Sequence, residues 1–286
     1  MTLRVLVVTA VAAESDSVAA GLGGYAASAP RALPSGHTLT RLHHPSPAAP
    51  AERDVDSGPS GSPGAPGVAG RHLPGDGAPG GRPVPEGAAR VAVDVVAGGV
   101  GPAAAAVATA VALATAPSAY DLVVSAGIAG GFAPHAPLGS VVVSDAIVAA
   151  DLGADTPGGY VAVEELGFGR SVHLPPPALT ARISGALHAG GVRHVVAPVL
   201  TLSTVTGSAA RTAELTARHP RAAAEAMEGF GVAEAAAAHG VPVVEIRTVS
   251  NTVGPRDRAA WRIGEALASL RETFRLLGST VFLEDL

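Results

Sequence analysis

Short apolar runs alternate with alanine-rich segments along most of the chain. In Leu3–Thr9, Val91–Ala97 and Leu122–Ala126 nearly every position is apolar, which is typical of parallel strands buried on both faces. The alanine-rich segments between such runs begin at Pro or end near Gly or Pro, as helices do. The alternation predicts an α/β fold, with one domain of three α/β/α layers around a central, largely parallel mixed sheet.

The same patterns place the remaining elements. Further strands are predicted at Val141–Ser144, Val195–Leu202 and Val241–Val249, and helices at Pro102–Ala116, Ala178–Ala189, Ala209–Arg218 and about Arg258–Leu277. In the last helix, Trp261 and Phe274 are expected near one face. Ligand sites in such folds lie at the carboxyl ends of strands, so polar residues there are candidates for chemistry.

One segment departs from this alternation. Between Pro45 and Ala88, 20 of the 44 residues are Pro or Gly, and few apolar residues can anchor a core. Such a segment cannot bury enough surface to offset the entropy lost on ordering. We therefore expect one domain, 1–286, interrupted at about 45–88 by a disordered Pro/Gly-rich insertion that joins strands at His37–His44 and Arg90–Ala97.

The composition excludes several kinds of chemistry. The net charge is −5 and basic runs are absent, so nucleic acid is not an expected partner. All basic residues are arginine and cysteine is absent, which excludes Schiff bases and thiol chemistry and suits the reducing cytoplasm, where we expect the protein to act. No stretch has the roughly 18 apolar residues of a membrane span, so no membrane is expected as a partner. The run after Arg4 is interpreted as a buried strand and not as a signal peptide.

A loose dinucleotide-binding pattern, G-x-G-x-x-[GA], occurs at Gly99–Ala104. A dinucleotide site also needs an acid at the end of the next strand, whereas Asp121 stands before that strand. Pro102 further removes one N–H from the turn. We therefore expect a tight strand-to-helix turn, with Val100 beside a sugar, and no dinucleotide cofactor.

Polar residues stand at the ends of three predicted elements. Glu14 follows the first strand, where it is either a helix cap or a catalytic carboxylate. Met227 and Glu228 open an alanine-rich helix, and Ser250 and Asn251 follow the strand at 241–249. These three ends could face one pocket.

Two other motifs are less specific. The glycines of Ser125–Phe132 follow a strand, where they either let a ligand approach the backbone or form a tight turn. His43 and His44 are adjacent, but no further ligand completes the pattern of a metal site. No metal is expected.

Five segments, in this order and spacing, carry a family resemblance: Val7–Glu14, Gly98–Pro102, Ser125–Gly131, Glu225–Gly229 and Arg247–Asn251. Together they resemble the nucleoside phosphorylase and nucleosidase superfamily, and within it the futalosine hydrolases. The resemblance implies hydrolysis of the N-glycosidic bond of futalosine in the menaquinone pathway, releasing hypoxanthine and dehypoxanthine futalosine. The alternatives are a purine nucleoside phosphorylase or hydrolase acting on inosine or guanosine, and a non-catalytic nucleoside-binding module.

The resemblance also assigns roles. A carboxylate at the position of Glu14 orients or deprotonates water in the related nucleosidases, a glutamate at that of Glu228 binds the ribose hydroxyls, and Met227 corresponds to a methionine that packs against the sugar. The other implied substrate-binding positions are Val100, Gly127, Ile128, Ala129, Val205 and Ser250. The related nucleosidases are homodimers, so a homodimer acting on a small nucleoside without cofactor or metal is implied.

Asn251 is the third implied catalytic residue, and it replaces the aspartate of adenine-specific relatives. Adenine presents an acceptor at N7 beside a donor at its 6-amino group, a pair that a carboxylic acid serves. Hypoxanthine presents two acceptors, N7 and O6, which an amide NH2 can meet. Asn251 therefore argues for a 6-oxopurine whose departure is assisted by hydrogen bonds or by a proton from solvent.

Two further departures concern the nucleophile and the base. No arginine lies between Arg90 and Arg170, so the central phosphate-holding positions of the related phosphorylases are unfilled and water is the expected nucleophile. The aromatic residue expected before Gly207 is missing. The candidates for stacking on the purine are Phe132, Phe168 and Phe230.

Overall fold

The apolar runs form one large mixed sheet, and two short strands at 153–162 form a second sheet, in the computed structural model, which describes residues 2–44 and 91–284. The strands are β1 (Leu3–Thr9), β2 (Ala26–Ala27), β3 (Arg31–Ala32), β4 (Thr38–His44), β5 (Val91–Ala97), β6 (Leu122–Gly131), β7 (Val141–Ala149), β8 (Gly153–Thr156), β9 (Gly159–Ala162), β10 (Val172–His173), β11 (His194–Thr201), β12 (Ala224–Ala226) and β13 (Val243–Thr252). The helices are α1 (Ala12–Gly21), α2 (Pro102–Ala114), α3 (Pro177–Ala189), α4 (Ala209–Arg218), α5 (Gly229–Ala238) and α6 (Ile263–Ser279).

The sheet is parallel at its centre and closes on itself at one end. Strand β1 lies between β5 and β6 and is parallel to both. Beyond β6, the strands β13, β7, β11 and β12 form a ring, because β13 pairs with both β6 and β7 while β12 returns to β6. The predicted mixed sheet is confirmed. Its closure was not predicted, because the pattern of apolar residues does not specify which strands pair.

Helices cover both faces of the sheet, which confirms the predicted layers. Alternate residues of β1 enter different cores: Val5 and Val7 pack with residues of α1, α3 and α6, whereas Leu6 and Val8 pack with residues of α2 and α5. Fully burying a side chain of this size stabilises the fold by about 1.5–3 kcal/mol. Because both faces of β1 are buried, the strand is apolar at every position from Val5 to Val8.

The final helix begins later than predicted. A 3-10 turn at Arg258–Ala260 precedes it, capped by the Asp257 carboxylate, which accepts a hydrogen bond from the Ala259 N–H at 3.1 Å. Trp261 is then extended, with φ −70° and ψ 134°, so α6 starts only at Ile263. The predicted start at Arg258 was therefore wrong, and Trp261 lies outside α6.

The glycine-rich segment after Ala126 belongs to a strand. Strand β6 continues to Gly131 because β13 pairs along it as far as Gly131↔Thr252, and β12 pairs with Gly130 and Gly131 on its other side. The interpretation of this segment as a tight turn was wrong. Strand pairing on both sides gives its backbone the hydrogen bonds that a turn would otherwise supply.

The predicted insertion at 45–88 lies outside the described residues. The predicted strands on either side of it are confirmed, since β4 and β5 pair antiparallel from Leu39↔Val96 to His44↔Val91. In the described part of the chain, no helix combines the length and apolar character that crossing a membrane requires.

Candidate active site

Glu14 reaches the middle of the sheet from the first turn of α1. It is buried, and its Oε2 accepts hydrogen bonds from the N–H groups of Ala10 (2.9 Å) and Val11 (3.2 Å), while Oε1 accepts one from the Ile128 N–H at 2.8 Å. Glu14 is thus both a helix cap and a carboxylate aimed at β6. Three backbone donors hold it in a fixed orientation.

Gly127 makes room for this carboxylate. A Cβ at Gly127 would lie 2.5 Å from Glu14 Oε1 and 2.8 Å from Arg247 Nη1. Both groups therefore converge on the Gly127 Cα, and a side chain at this position would separate them.

Arg247 on β13 is the centre of a buried charged cluster that we call the arginine hub: Glu14, Glu228, Glu245 and Arg247. Its Nε donates to Glu245 Oε1 at 2.8 Å, and its Nη2 lies 3.1 Å from Glu228 Oε2. Burial alone would lower the pKa of Arg247, but the carboxylates of Glu245, Glu228 and Glu14 outweigh it and raise that pKa. The hub holds one cation among three acidic side chains.

Glu245 is the most deeply buried member of the hub. Burial raises its pKa, and Arg247 acts in the opposite direction. Its Oε2 is buried without a hydrogen-bond partner in the described structure, and its carboxyl group packs so closely on Gly229 that a Cβ there would clash. The hub therefore contains one carboxyl group whose ionised form is poorly compensated.

Glu228 joins the hub to the loop after β5. Its Oε1 accepts a hydrogen bond from the Gly101 N–H at 3.2 Å, and its Oε2 accepts one from the Met227 N–H at 3.3 Å. Met227 is half-buried, and Val100, beside Gly101, is exposed. The two carboxylates predicted from sequence, Glu14 and Glu228, are thus brought together around Arg247.

The end of β13 presents an amide in a defined orientation. The Ser250 hydroxyl donates a hydrogen bond to Asn251 Oδ1 at 2.9 Å, and Asn251 Nδ2 donates to the Thr252 carbonyl at 3.2 Å. Ser250 is buried against β6, where its hydroxyl lies 3.2 Å from the Ala129 carbonyl. Because Oδ1 accepts from Ser250 and one N–H donates to Thr252, the second N–H of the Asn251 amide remains to donate to a ligand.

A pocket that we call the base pocket adjoins this amide. Its lining includes Gly130, Val205, Thr206, Glu225, Asn251 and Trp261. Glu225 is buried, and its carboxylate accepts hydrogen bonds from the Thr206 N–H at 2.7 Å and from the Thr206 hydroxyl. Burial raises the pKa of Glu225, and the two bonds from Thr206 act in the opposite direction.

The three phenylalanines suggested for stacking lie elsewhere. Phe132 and Phe230 are buried in apolar clusters, and Phe168 is 81% exposed, away from the base pocket. None of the three lines the base pocket, because these rings are used in packing or face solvent. Trp261 is the aromatic residue that lines the pocket, and it reaches there because it is excluded from α6.

Sequence reasoning assigned no role to Arg247, Glu245, Glu225 or Trp261. A signal for the first two exists, since charges at positions i and i+2 of an apolar strand share one face and need partners. Trp261 carried no such signal. Within residues 2–44 and 91–284, no group of three or more acidic or histidine side chains is placed to hold a metal ion.

Comparison with known proteins places this geometry in context. A family model described as "Phosphorylase superfamily" matches residues 71–281. The futalosine hydrolase of Streptomyces coelicolor is 64% identical over 184 residues, which cover 63% of this chain and 75% of that protein.

Solved structures share the fold at low identity. A 5'-methylthioadenosine/S-adenosylhomocysteine nucleosidase from Colwellia psychrerythraea, in complex with adenine, aligns with a TM-score of 0.69 and 20% identity, covering 98% of this chain and 96% of that one. A futalosine hydrolase mutant of Helicobacter pylori aligns with a TM-score of 0.68 and 13% identity, covering 96% and 98%.

Proposed function

Since the chain belongs to the phosphorylase superfamily, we propose that it hydrolyses the N-glycosidic bond of futalosine and releases hypoxanthine and dehypoxanthine futalosine. The substrate is supported by the 64% identity to a futalosine hydrolase. The observation that carries the chemistry is the arginine hub, where Glu14 and Glu228 are buried around Arg247 of β13, the strand that also carries Asn251.

Glu14 is proposed to activate water. Breaking the bond between ribose C1' and the purine nitrogen builds positive charge on the ribose, which a nearby carboxylate stabilises. Water attacks C1', its proton passes to Glu14, and the bonding electrons leave with the base. The three N–H donors that hold Glu14 fix its position for this step.

Glu228 is proposed to bind the ribose hydroxyls, with Met227 against the sugar. Glu228 is already fixed by Gly101 and by Arg247, so its remaining lone pairs have defined directions. The proposed lining of the ribose site is formed by Val100, Gly127, Ile128 and Ala129. Val205 and Ser250 are proposed to lie beside the purine base.

Asn251 is proposed to stabilise the departing base. Its NH2 group can donate to N7 or O6 of a 6-oxopurine, where negative charge develops as the bond breaks. An amide has no proton to give at neutral pH, so the proton that completes hypoxanthine comes from solvent.

The arginine hub favours water over phosphate. Arg247 is the cation of the hub, but its Nε and Nη2 are engaged by Glu245 and Glu228. A phosphate beside three acidic side chains and one arginine would meet net repulsion. This argues against the phosphorylase alternative.

The test is hypoxanthine release from futalosine, inosine and methylthioadenosine, each with and without phosphate. Phosphate-independent release from futalosine alone is expected. Phosphate-dependent release from inosine would instead identify a phosphorylase, and no release from any substrate would favour a binding module.

We further propose a homodimer that acts in the cytoplasm, as a step of menaquinone synthesis. Phe168 and Leu174 are 81% and 74% exposed, which is unusual for apolar side chains of this size and suits burial against a second copy. Light scattering should give twice the chain mass, and F168E with L174E should give a monomer. V107E, at an exposed apolar position on α2, is the matched control. A wild-type monomer would contradict the proposal.

A further inference from the structure

Two polar residues flank one glycine at the base pocket. Gly130 of β6 is the register partner of Glu225 in β12 on one side and of Asn251 in β13 on the other. Adjacent strands are about 4.8 Å apart, so the two backbones are separated by roughly 10 Å across a residue without a side chain. All three residues line the same pocket.

The two flanking groups have opposite hydrogen-bonding character. Asn251 offers one N–H of its amide, since the other donates to the Thr252 carbonyl and Oδ1 accepts from Ser250. Glu225 offers carboxylate oxygens: two hydrogen bonds arrive from Thr206, and a carboxylate has about four lone-pair sites. The pocket therefore has a donor at one edge and an acceptor at the other.

A 6-oxopurine matches this arrangement and a 6-aminopurine reverses it. Hypoxanthine presents O6 and N7 as acceptors and its N1–H as a donor. Adenine presents a 6-amino donor and an N1 lone pair. Its amino group would face the amide donor of Asn251, and its N1 lone pair would face the carboxylate acceptor of Glu225. Each buried mismatch costs about 1–3 kcal/mol, so the second contact multiplies the selectivity that Asn251 alone can supply.

We propose that Glu225 is a specificity-determining residue that accepts the N1–H of a 6-oxopurine base placed over Gly130, opposite Asn251. The inference rests on the proposed function, because it takes a purine as the occupant of the pocket. The competing role for Glu225 is purely structural: it holds Thr206, and with it the segment after β11, through the two hydrogen bonds.

E225Q and T206V separate the two roles. E225Q keeps the shape of the side chain and one oxygen acceptor but adds an NH2 that can donate to adenine N1. T206V removes the hydroxyl bond to Glu225 and keeps the carboxylate. Each protein is titrated by calorimetry with hypoxanthine, adenine and 1-methylhypoxanthine, in which N1 carries a methyl group instead of hydrogen.

The wild-type enzyme is expected to bind hypoxanthine at least tenfold more tightly than either other base, tenfold being about 1.4 kcal/mol. E225Q should lose most of the preference over adenine, and T206V should keep it. Parallel losses for all three bases in both variants would show that Glu225 only holds the segment, and would overturn the proposal. A wild type without preference for hypoxanthine would also overturn it.

Futalosine hydrolysis by the wild type is measured alongside. If hydrolysis is absent but the Glu225-dependent preference is present, the proposed reaction fails and the assignment of Glu225 stands. If E225Q does not fold, as judged by its thermal transition, the wild-type comparison of hypoxanthine with 1-methylhypoxanthine decides, because these two bases differ only at N1.

Discussion

The Arg247 guanidinium lies 3.1 Å from the Glu228 carboxylate, between Nη2 and Oε2, in a place where neither side chain is more than 7% exposed. This pair joins the start of α5 to the middle of β13. Glu14 adds a third element to the same point, because Gly127 lets it approach Arg247. The three elements are held in position by charge as well as by apolar packing.

Replacing Glu14 with Gln should lower kcat by about 10²–10⁴-fold, the usual contribution of a general base. Binding of the free base should change little, since the purine lies in the separate base pocket. Steady-state kinetics and base titration measure the two effects. D16N, on an exposed residue of the same helix, is the control. Activity within fivefold of wild type would mean that Glu14 serves only as a cap.

Replacing Gly127 with Ala should impair catalysis, because the new Cβ would lie 2.5 Å from Glu14 Oε1. We expect kcat to fall strongly, whereas the free energy of unfolding should change less. Gly185, inside α3, has nothing within 4 Å of an added Cβ, so G185A should stabilise the protein by about 0.5–1 kcal/mol with kcat unchanged. An active G127A would show that Glu14 need not remain in its observed position.

Replacing Arg247 with Met leaves buried carboxylates without their cation and should cost about 3–5 kcal/mol of stability. Burial already raises the pKa of Glu245, and without Arg247 that pKa should rise further. The folded variant then binds more protons than the unfolded chain, so its stability falls as pH rises from the ordinary glutamate pKa through the raised one.

Thermal unfolding between about pH 4 and pH 8 tests this, since ordinary glutamate titrates near 4.3. The Tm deficit of R247M relative to wild type should be largest at the high end and should shrink toward the low end. R193M, which removes an exposed arginine, is the control and should show little deficit. A deficit independent of pH would mean that the loss is one of packing and not of charge.

Replacing Asn251 with Asp should lower the preference for the 6-oxo over the 6-amino form of the substrate. A carboxylate faces O6 and N7 with like charge, and a mismatch of about 1–3 kcal/mol corresponds to roughly 5- to 150-fold in kcat/KM. S250A removes the hydroxyl that orients the amide. It should lower kcat/KM for both substrates without changing which one is preferred. An unchanged ratio in N251D would assign base reading to another group.

Replacing residues 45–90 by an Asn-Gly turn should leave folding and activity within about twofold of wild type. His44 and Val91 are paired neighbours at the ends of β4 and β5, so two residues can connect them as a hairpin. Thermal unfolding and hydrolysis rates are the measurements. A large loss of either would show that the insertion contributes to the fold or to the site.

Much of the fold could be read from local pattern. Strand β1 and helix α4 occur where the sequence placed them, because a run of buried apolar residues marks the strand and Pro220 follows the end of the helix. The carboxylates Glu14 and Glu228 were also recognisable, since they stand at element ends within family-like segments. Trp261 was misplaced, because capping by Asp257 overrides a helical pattern.

Sequence alone thus determined most of the buried strands and the helices and which side chains bear the acids and the amide, whereas the insertion at 45–88 stays a prediction. Tertiary structure alone decided that Arg247 collects acids from three elements, and that Glu225 and Asn251 meet across Gly130. The physical reason is the separation in sequence between the residues that interact. Secondary structure follows from the spacing of neighbours, whereas charge pairing and pocket lining depend on strand order and register between residues up to more than a hundred positions apart.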